Sequence, residues 1–187
     1  TDDETGGDCT SIGTWNSASK TCILGSNITE TVVIQSDGIT FNGNGKLISV
    51  TLASGTVPGD KYGIYINGFD NIVITNVNVN MAGNGILVEN SENIIIKDST
   101  IDGAEWTSIQ LINAADVQIS NNVLENNNVA IGVGKAGSHD NVIKQNEINN
   151  DLQSAIILCE YSSSASVFEN VINGASIALQ LCSSTEN

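Results

Sequence analysis

The chain has 187 residues, of which 21 are acidic and six are lysine, and with no arginine its net charge is −15. Because nucleic acids and anionic membranes are bound through Lys and Arg, this charge argues against both as partners. Hydrophobic residues make up 40% of the chain, but no run of them approaches the roughly 18 to 20 residues of a membrane span, so no membrane insertion is expected.

The first 31 residues precede the repeats and are expected to form an acidic tail and an N-terminal cap, with the repeat domain at 32–187. Residues 1–8 are acidic and rich in glycine, and they contain nothing to bury. Asn27 begins an Asn-Ile-Thr sequon, which makes it a candidate for N-glycosylation in an exported chain.

The four cysteines indicate an exported protein. They form two pairs that are close in sequence, Cys9 with Cys22 and Cys159 with Cys182, and we predict a disulfide in each pair. No Cys-x-x-Cys spacing occurs and the only histidine is His139, which argues against the alternative, metal ligation. The chain also starts without an initiator Met, as processed chains do. We therefore expect an extracellular or cell-surface location.

The segment between Cys9 and Cys22 reads CTSIGTWNSASKTC. A turn that starts near Asn16 would join two short strands in it. We expect the disulfide to close this segment into a lid over the first coil, with Trp15 covering apolar edges.

From Val32 onward one strand pattern recurs. The segments 63–79, 85–101 and 108–124 read GIYINGFDNIVITNVNV, GILVENSENIIIKDSTI and SIQLINAADVQISNNVL. Equivalent positions repeat every 22 to 24 residues, and apolar residues alternate with others within each strand. Alternate residues of a strand share one face, so this period predicts a β-solenoid. The apolar spacing of two excludes the helical alternative.

Each coil is predicted to contain three strands, because three sets of apolar positions align. The first strand aligns Ile64, Ile86, Ile109, Ile131, Ile156 and Ile177, and two residues later Ile66, Val88, Leu111, Val133, Leu158 and Leu179. The second strand aligns Ile74, Ile96, Ile119, Ile143 and Val167, and the third aligns Val79, Ile101, Leu124, Ile148 and Ile172.

A further column lies between the second and third strands. It contains Asn44, Asn122, Asn146 and Asn170, with Val77 and Ser99 in the remaining coils. Because stacked asparagine side chains can bond their counterparts one coil away, we expect an interior Asn ladder.

Asn71–Val79 follows the pattern N-I-x-I-x-x-N-x-I except that Val77 occupies the second Asn position and Val79 the final Ile position, and 165–172 follows it less perfectly. The pattern resembles the right-handed parallel β-helix repeats of the pectate-lyase-like superfamily. The segment 36–48, SDGITFNGNGKLI, is similar to the usual first coil of those chains. The resemblance implies an all-β, single-stranded right-handed parallel β-helix of about six to seven coils. That superfamily includes lyases, hydrolases, epimerases, phage spikes, periplasmic accessory proteins and surface or sheath proteins, so the fold does not select a function.

The candidate residues for catalysis are few. Lyases of the superfamily commonly use an Arg base, and this chain has no Arg. Glycoside hydrolysis needs two carboxylates roughly 5 to 10 Å apart, for which Asp98, Asp102 and Glu105 are the candidates. The paired Asp motif of the superfamily's hydrolases is absent, and turn carboxylates that face water are the alternative interpretation. The sequence does not decide whether the protein is an enzyme, and it favours a non-catalytic protein. No cofactor is predicted, although the acidic surface would attract divalent cations such as Ca²⁺.

The last predicted coil presents an open strand edge that contains Leu179 and Leu181. Unpaired strand edges favour association with other strands. A row of outward positions in the first strands is also apolar, at Tyr65, Leu87, Ile157 and Ala178. Two hypotheses follow: a structural protein that self-associates through these surfaces into an extracellular layer, sheath or filament, or a domain that binds or cleaves polysaccharides. The expected partners are the protein itself and surface glycans.

Overall fold

The structure is a computed structural model that describes residues 7–50, 61–81, 83–134, 137–149, 152–159 and 164–182. Residues 1–6 of the predicted acidic tail lie outside this part of the chain. The described residues form a parallel β-solenoid, as predicted, with one short helix near the N-terminus. That helix has four residues, and the described part of the chain holds no helix with the length and hydropathy of a membrane span.

The elements follow one another coil by coil. After α1 (Cys9–Ile12) and β1 (Gly13–Asn16), the first coil contains β2 (Thr21–Leu24) and β3 (Val32–Ile34). The next three coils contain β4 (Thr40–Asn42), β5 (Leu47–Val50), β6 (Tyr62–Asn67), β7 (Val73–Thr75), β8 (Asn78–Met81), β9 (Asn84–Glu89), β10 (Ile95–Lys97), β11 (Thr100–Asp102) and β12 (Thr107–Ile112). The last three contain β13 (Gln118–Ser120), β14 (Val123–Glu125), β15 (Val129–Gly134), β16 (Val142–Lys144), β17 (Glu147–Asn149), β18 (Ser154–Leu158), β19 (Ser166–Phe168), β20 (Val171–Asn173) and β21 (Ile177–Leu181).

Three sheets run along the solenoid. Sheet 1 has the order β1-β2-β4-β7-β10-β13-β16-β19, sheet 2 the order β5-β8-β11-β14-β17-β20, and sheet 3 the order β3-β6-β9-β12-β15-β18-β21. Each strand of a coil pairs in parallel with its equivalent in the next coil, and the β1–β2 pair alone among the described strand pairs is antiparallel.

The core consists of the inward columns predicted from the alternation. Ile74, Ile96, Ile119 and Ile143 pair in register along sheet 1, and each is 0% exposed. Burial of each such side chain contributes about 1.5 to 3 kcal/mol. With so few aromatic residues, these aliphatic stacks supply most of the packing.

The corner between sheets 1 and 2 requires left-handed backbone geometry. In successive coils it is occupied by Asn76, Asp98, Asn121, Gln145 and Glu169, whose φ angles lie between 52° and 56°. Asn and Asp tolerate this region better than most residues because their short side chains bond locally. The frequent Asn of the sequence pattern therefore has a conformational cause.

The predicted N-terminal lid is present. Strands β1 and β2 form an antiparallel hairpin, and the disulfide Cys9–Cys22 ties α1 to β2. Parallel pairing begins earlier than the expected boundary near Val32, because Thr21 of β2 already pairs with Thr40 of β4. The second predicted disulfide, Cys159–Cys182, joins the residues that follow β18 and β21.

The predicted alignment of the last coil needs a correction. Leu179 pairs with Ile156 and Leu181 with Leu158, whereas Ile177 pairs with Ser154. The last coil is thus displaced by two residues from the predicted register. A displacement of two keeps every side chain on its original face, so the apolar pattern could not reveal it.

Candidate functional site

An interior ladder of polar side chains runs through the fourth to seventh coils. The backbone N–H of Ser99 donates to Asn122 Oδ1 at 3.1 Å, that of Asn122 to Asn146 Oδ1 at 3.0 Å, and that of Asn146 to Asn170 Oδ1 at 3.0 Å. The side-chain amides follow the same direction, with Nδ2 of Asn146 2.9 Å from Oδ1 of Asn170. Each coil therefore supplies the acceptor that the preceding coil needs.

Asn44 was expected in this ladder and lies outside it, with an exposed side chain. The cause is the length of its turn. Four residues separate Asn42 from Leu47, whereas two separate their partners Thr75 and Asn78 in the next coil. The longer turn moves Asn44 out of the interior column.

The ladder has a direction, and it ends at the last described coil. Each Oδ1 accepts from the coil before it, so the backbone N–H of Asn170 faces the C-terminal end of the solenoid. Among the described residues, no acceptor bonds this N–H. A coil stacked on this end with Asn in the same position would continue the ladder.

The last described coil also exposes apolar side chains that are buried elsewhere. Leu179 is 45% exposed and Leu181 is 70% exposed, although Ile156, the partner of Leu179 one coil earlier, is 0% exposed. Strands β19, β20 and β21 are the terminal strands of the three sheets at this end. This surface, the C-terminal edge, therefore combines apolar side chains with strand edges that no described strand covers.

The outward row predicted as an assembly face is less apolar than expected. The register places Tyr65, Leu87, Gln110, Gly132, Ile157 and Gln180 in this row. Gln180 rather than Ala178 follows Ile157, because of the displaced last coil. Leu87 is only 4% exposed, so its side chain is not available at the surface.

The opposite end of the solenoid is stepped. Sheet 1 extends one strand beyond the first coil, because β1 pairs with the outer edge of β2. Among the described residues, sheet 3 has no such strand and ends at β3, and the first coil of sheet 2 is represented by a single bridge between Ile28 and Ile48. Beside β3 the end surface is therefore recessed by about one strand spacing, roughly 4.8 Å.

A cavity of about 660 Å³ occupies this recess, and we call it the N-terminal notch. Ile12 of α1 and Trp15 of β1 line it, as do all three residues of β3. Buried core residues of the second coil, Ile39 and Phe41, complete its apolar lining. Its volume lies within the usual range for ligand pockets.

Two polar features mark the notch. The indole Nε1 of Trp15 is buried, and it has no hydrogen-bond partner among the described residues. The carboxylates of Asp8 and Glu30 also line the notch, and its described lining contains no Lys, Arg or His. Asn27 lies there as well, is exposed, and accepts a hydrogen bond from the Leu47 N–H at 3.0 Å.

A polar strip crosses the outer surface near β6 and β9. Tyr65 Oη donates to Glu89 Oε2 at 2.7 Å, and this hydrogen bond raises the pKa of the Tyr65 phenol. Asn113 Nδ2 donates to Asn90 Oδ1 at 2.8 Å, and Asn90 Nδ2 donates to Asn67 Oδ1 at 2.9 Å. The apolar pattern of the sequence does not predict this strip, although the spacing of 23 residues between successive asparagines is a signal for it.

The three carboxylates considered for catalysis lie apart from the notch. Asp98 occupies a left-handed corner, with Oδ2 3.5 Å from Lys97 Nζ. Asp102 Oδ1 accepts a hydrogen bond from Asn126 Nδ2 at 2.8 Å. Glu105 is exposed. Each carboxylate thus faces solvent or a local partner, and none of them lines the notch.

Metal-ligating side chains do not converge in the described part of the chain. No group of three or more His, Cys, Asp or Glu residues there could hold a metal ion. All four cysteines are in disulfides. His139, the single histidine, bonds Asp140 through Nδ1 at 3.0 Å, and its side chain is 46% exposed.

Comparison with known proteins identifies one family. The family model for NosD, described as a periplasmic copper-binding protein, matches residues 6–184. No curated protein matches the chain. Among solved structures, one described as a "putative glycosyl hydrolase" from Parabacteroides merdae ATCC 43184 is 13% identical, with a TM-score of 0.55. The match covers 85% of this chain and 82% of that one. At this identity it shows the fold alone.

Proposed function

Because the chain belongs to the NosD family, described as periplasmic copper-binding proteins, we propose that it is an exported, non-catalytic β-solenoid scaffold that associates with a second copy through its C-terminal edge. The observation that carries this proposal is the exposure of Leu179 and Leu181, whose equivalents in the preceding coil lie in the core or at its margin. Burial of exposed apolar side chains and pairing of the terminal strands both favour association.

The shapes of the two ends favour contact between two C-terminal edges. A head-to-tail contact would bring β19 of one copy against β1 of the next, because sheet 1 projects by one strand. Sheets 2 and 3 would then remain apart by a strand spacing. The C-terminal edge has no such step, so contact between two C-terminal edges can bring the terminal strands of all three sheets together.

A two-fold axis perpendicular to the solenoid relates two copies in this arrangement. Such an axis reverses the strand direction, so the terminal strands of the two copies would pair antiparallel. Antiparallel edges form regular ladders, and the contact would be isologous, as in most dimers.

The copper in the family's description does not fit the donor set of the described residues. Copper sites use imidazole, thiolate or thioether ligands. The cysteines here are oxidised, and the one imidazole is partly exposed beside a single carboxylate. We therefore assign no copper site to the described residues. The periplasmic description of the family and the disulfides both support an exported location. A location at the cell surface is part of our proposal.

Sedimentation velocity at increasing protein concentration tests the association. Leu181 is 70% exposed, so Leu181→Lys should leave the monomer folded and abolish the dimer of the parent. Trp106→Lys is the matched control, since it adds the same charge at a half-exposed apolar side chain away from the edge. A parent chain that stays monomeric at every concentration would overturn the proposal.

The polar strip supports a second candidate, binding of neutral glycans. Tyr62 and Tyr65 stack with ring centroids 5.0 Å apart, and the Glu89 carboxylate and Asn amides lie beside them. Aromatic faces and hydrogen-bonding side chains suit sugars, while the net charge disfavours acidic glycans. Calorimetry with neutral oligosaccharides tests it: Tyr62→Ala should abolish the binding heat, and an absence of heat with the parent would end this candidate.

A further inference from the structure

The N-terminal notch has the shape of a missing strand. On sheet 1 the position beyond the first coil is filled by β1, and on sheet 3 the equivalent position beyond β3 is empty of described residues. The outer edge of β3 faces this position, and the side chains of Ile12 and Trp15 line the same notch. An extended segment placed there would pair with β3 and be covered by these two side chains.

Burial along β3 supports the same interpretation. Val32 and Ile34 point inward, because they pair with Ile64 and Ile66, which are both 0% exposed. Val32 nevertheless remains half-buried, and the outward Val33 is 45% exposed. Inward residues of a β-solenoid become fully buried when a strand lies on each side of them. The side of β3 that lacks a strand is the side of the notch.

The indole of Trp15 is part of the apolar wall of the notch. Its Nε1 is buried without an acceptor among the described residues, so this donor is covered by the protein and is not open to a segment in the notch. Trp15 nevertheless lines the notch, so a bound segment would pack apolar side chains against its ring.

The charge of the notch selects the class of segment. Asp8 and Glu30 are the charged residues among its lining, and both are exposed. The chain carries a net charge of −15. Lys or Arg on the bound segment would therefore be attracted, and acidic segments would be repelled.

We propose that the N-terminal notch binds an extended basic peptide segment of another protein, which adds to sheet 3 beside β3. Addition of a strand to an open sheet edge is a common mode of peptide recognition, in which the backbone supplies affinity and side-chain pockets supply selectivity. Inward apolar side chains of the segment would pack against Ile12, Trp15 and Val32. Its basic side chains would face Asp8 and Glu30. The proposal is independent of the C-terminal edge.

Fluorescence anisotropy with two synthetic peptides tests the proposal on the full chain. In one labelled peptide Val and Lys alternate, and in the other Val and Glu alternate. The parent should bind the first at least tenfold more tightly at low salt, and the preference should shrink as salt is added. Binding should also slow hydrogen exchange at the amides of β3.

Two variants connect this binding to the notch. Trp15→Phe keeps an aromatic ring but removes part of the apolar surface against which the segment would pack, so it should weaken binding about threefold to tenfold. Glu30→Lys should weaken binding of the Lys peptide about twofold to fivefold. Glu92→Lys, at an exposed residue outside the notch, is the matched control and should leave binding unchanged.

Three outcomes would overturn the proposal. One is an absence of binding by the Val–Lys peptide up to millimolar concentration. Another is a binding affinity that is the same in Trp15→Phe, in Glu30→Lys and in the control variant Glu92→Lys. The third is a dimer, seen by sedimentation, that Glu30→Lys dissociates, because the notch would then hold a second copy. If Trp15→Phe does not fold, the charge preference and Glu30→Lys still decide the result.

Discussion

Asn146 Oδ1 accepts two hydrogen bonds from Asn122, one from its backbone N–H at 3.0 Å and one from its Nδ2 at 3.0 Å. Both residues are 1% exposed. The same Asn146 side chain donates to Ile119 O at 3.0 Å and to Asn170 Oδ1 at 2.9 Å. One buried amide thus connects three successive coils.

Asn146→Ala should lower the free energy of unfolding by about 2 to 4 kcal/mol, because it leaves the buried N–H of Asn122 without its acceptor and removes the hydrogen bonds that the Asn146 amide donates. Asn67→Ala, at an exposed residue of the polar strip, should cost less than about 1 kcal/mol. Chemical denaturation measures both. Equal losses would mean that burial does not determine the strength of the ladder.

The corner residue Asp98 should tolerate glycine and reject valine. Its φ of 52° lies in the left-handed region, where glycine is unstrained and a β-branched residue costs about 1 to 2 kcal/mol. Asp98→Gly should therefore unfold within about 0.5 kcal/mol of the parent, and Asp98→Val should be clearly less stable. Thr100→Val, two residues later in β11, is the control for a β-branched residue in a strand. A stable Asp98→Val variant would refute the conformational role of Asp98.

The Tyr65 phenol should ionise at higher pH than an ordinary tyrosine. The hydrogen bond to Glu89, followed by burial, raises its pKa above the usual value of about 10. Because the pKa is raised in the folded state, the associated stability is present below pH 10 and is lost as pH rises through the folded pKa.

Ultraviolet absorbance of the phenolate measures this titration, and the difference between the parent and Tyr65→Phe isolates Tyr65. Glu89→Gln removes the charged acceptor and should lower the pKa toward its ordinary value. An unchanged titration in Glu89→Gln would show that the hydrogen bond is not the cause.

The disulfide Cys159–Cys182 spans 23 residues, so its removal should cost about 3 kcal/mol by the entropy of the unfolded chain. Replacing both cysteines with serine tests this. Hydrogen exchange should then accelerate first in β21, because no described strand pairs with the outer edge of β21. Uniform acceleration along the solenoid would indicate global unfolding instead of fraying of the last coil.

The alternation of apolar residues was sufficient to predict the strands, their inward faces and the parallel stacking. It could not determine the register of the last coil, because Ile177, Leu179 and Leu181 alternate identically after a displacement of two. The position of Asn44 also escaped prediction, since the extra residues of its turn have no apolar signature. Helix α1 has four residues and lacks a side-chain N-cap hydrogen bond, so no sequence signal marks it.

The candidate surfaces were predictable in different degrees. The C-terminal edge follows from the strand pattern, because Leu179 and Leu181 belong to inward positions. The N-terminal notch does not, since it depends on β1 extending one sheet and leaving its neighbour short. The unpartnered Nε1 of Trp15 is likewise a property of the folded cap, although the residue itself was expected to cover apolar edges.

The one-to-one register between coils also affects how such a gene can change in length. Each coil offers the next an equivalent backbone edge, and in the later coils it offers the preceding coil an equivalent amide oxygen. Tandem duplication of a segment that spans one coil would therefore create a new unit whose two faces already match its neighbours. Shorter insertions can be absorbed only at corners, as the longer turn before Leu47 shows. Evolutionary lengthening of this chain should accordingly proceed in steps of whole coils.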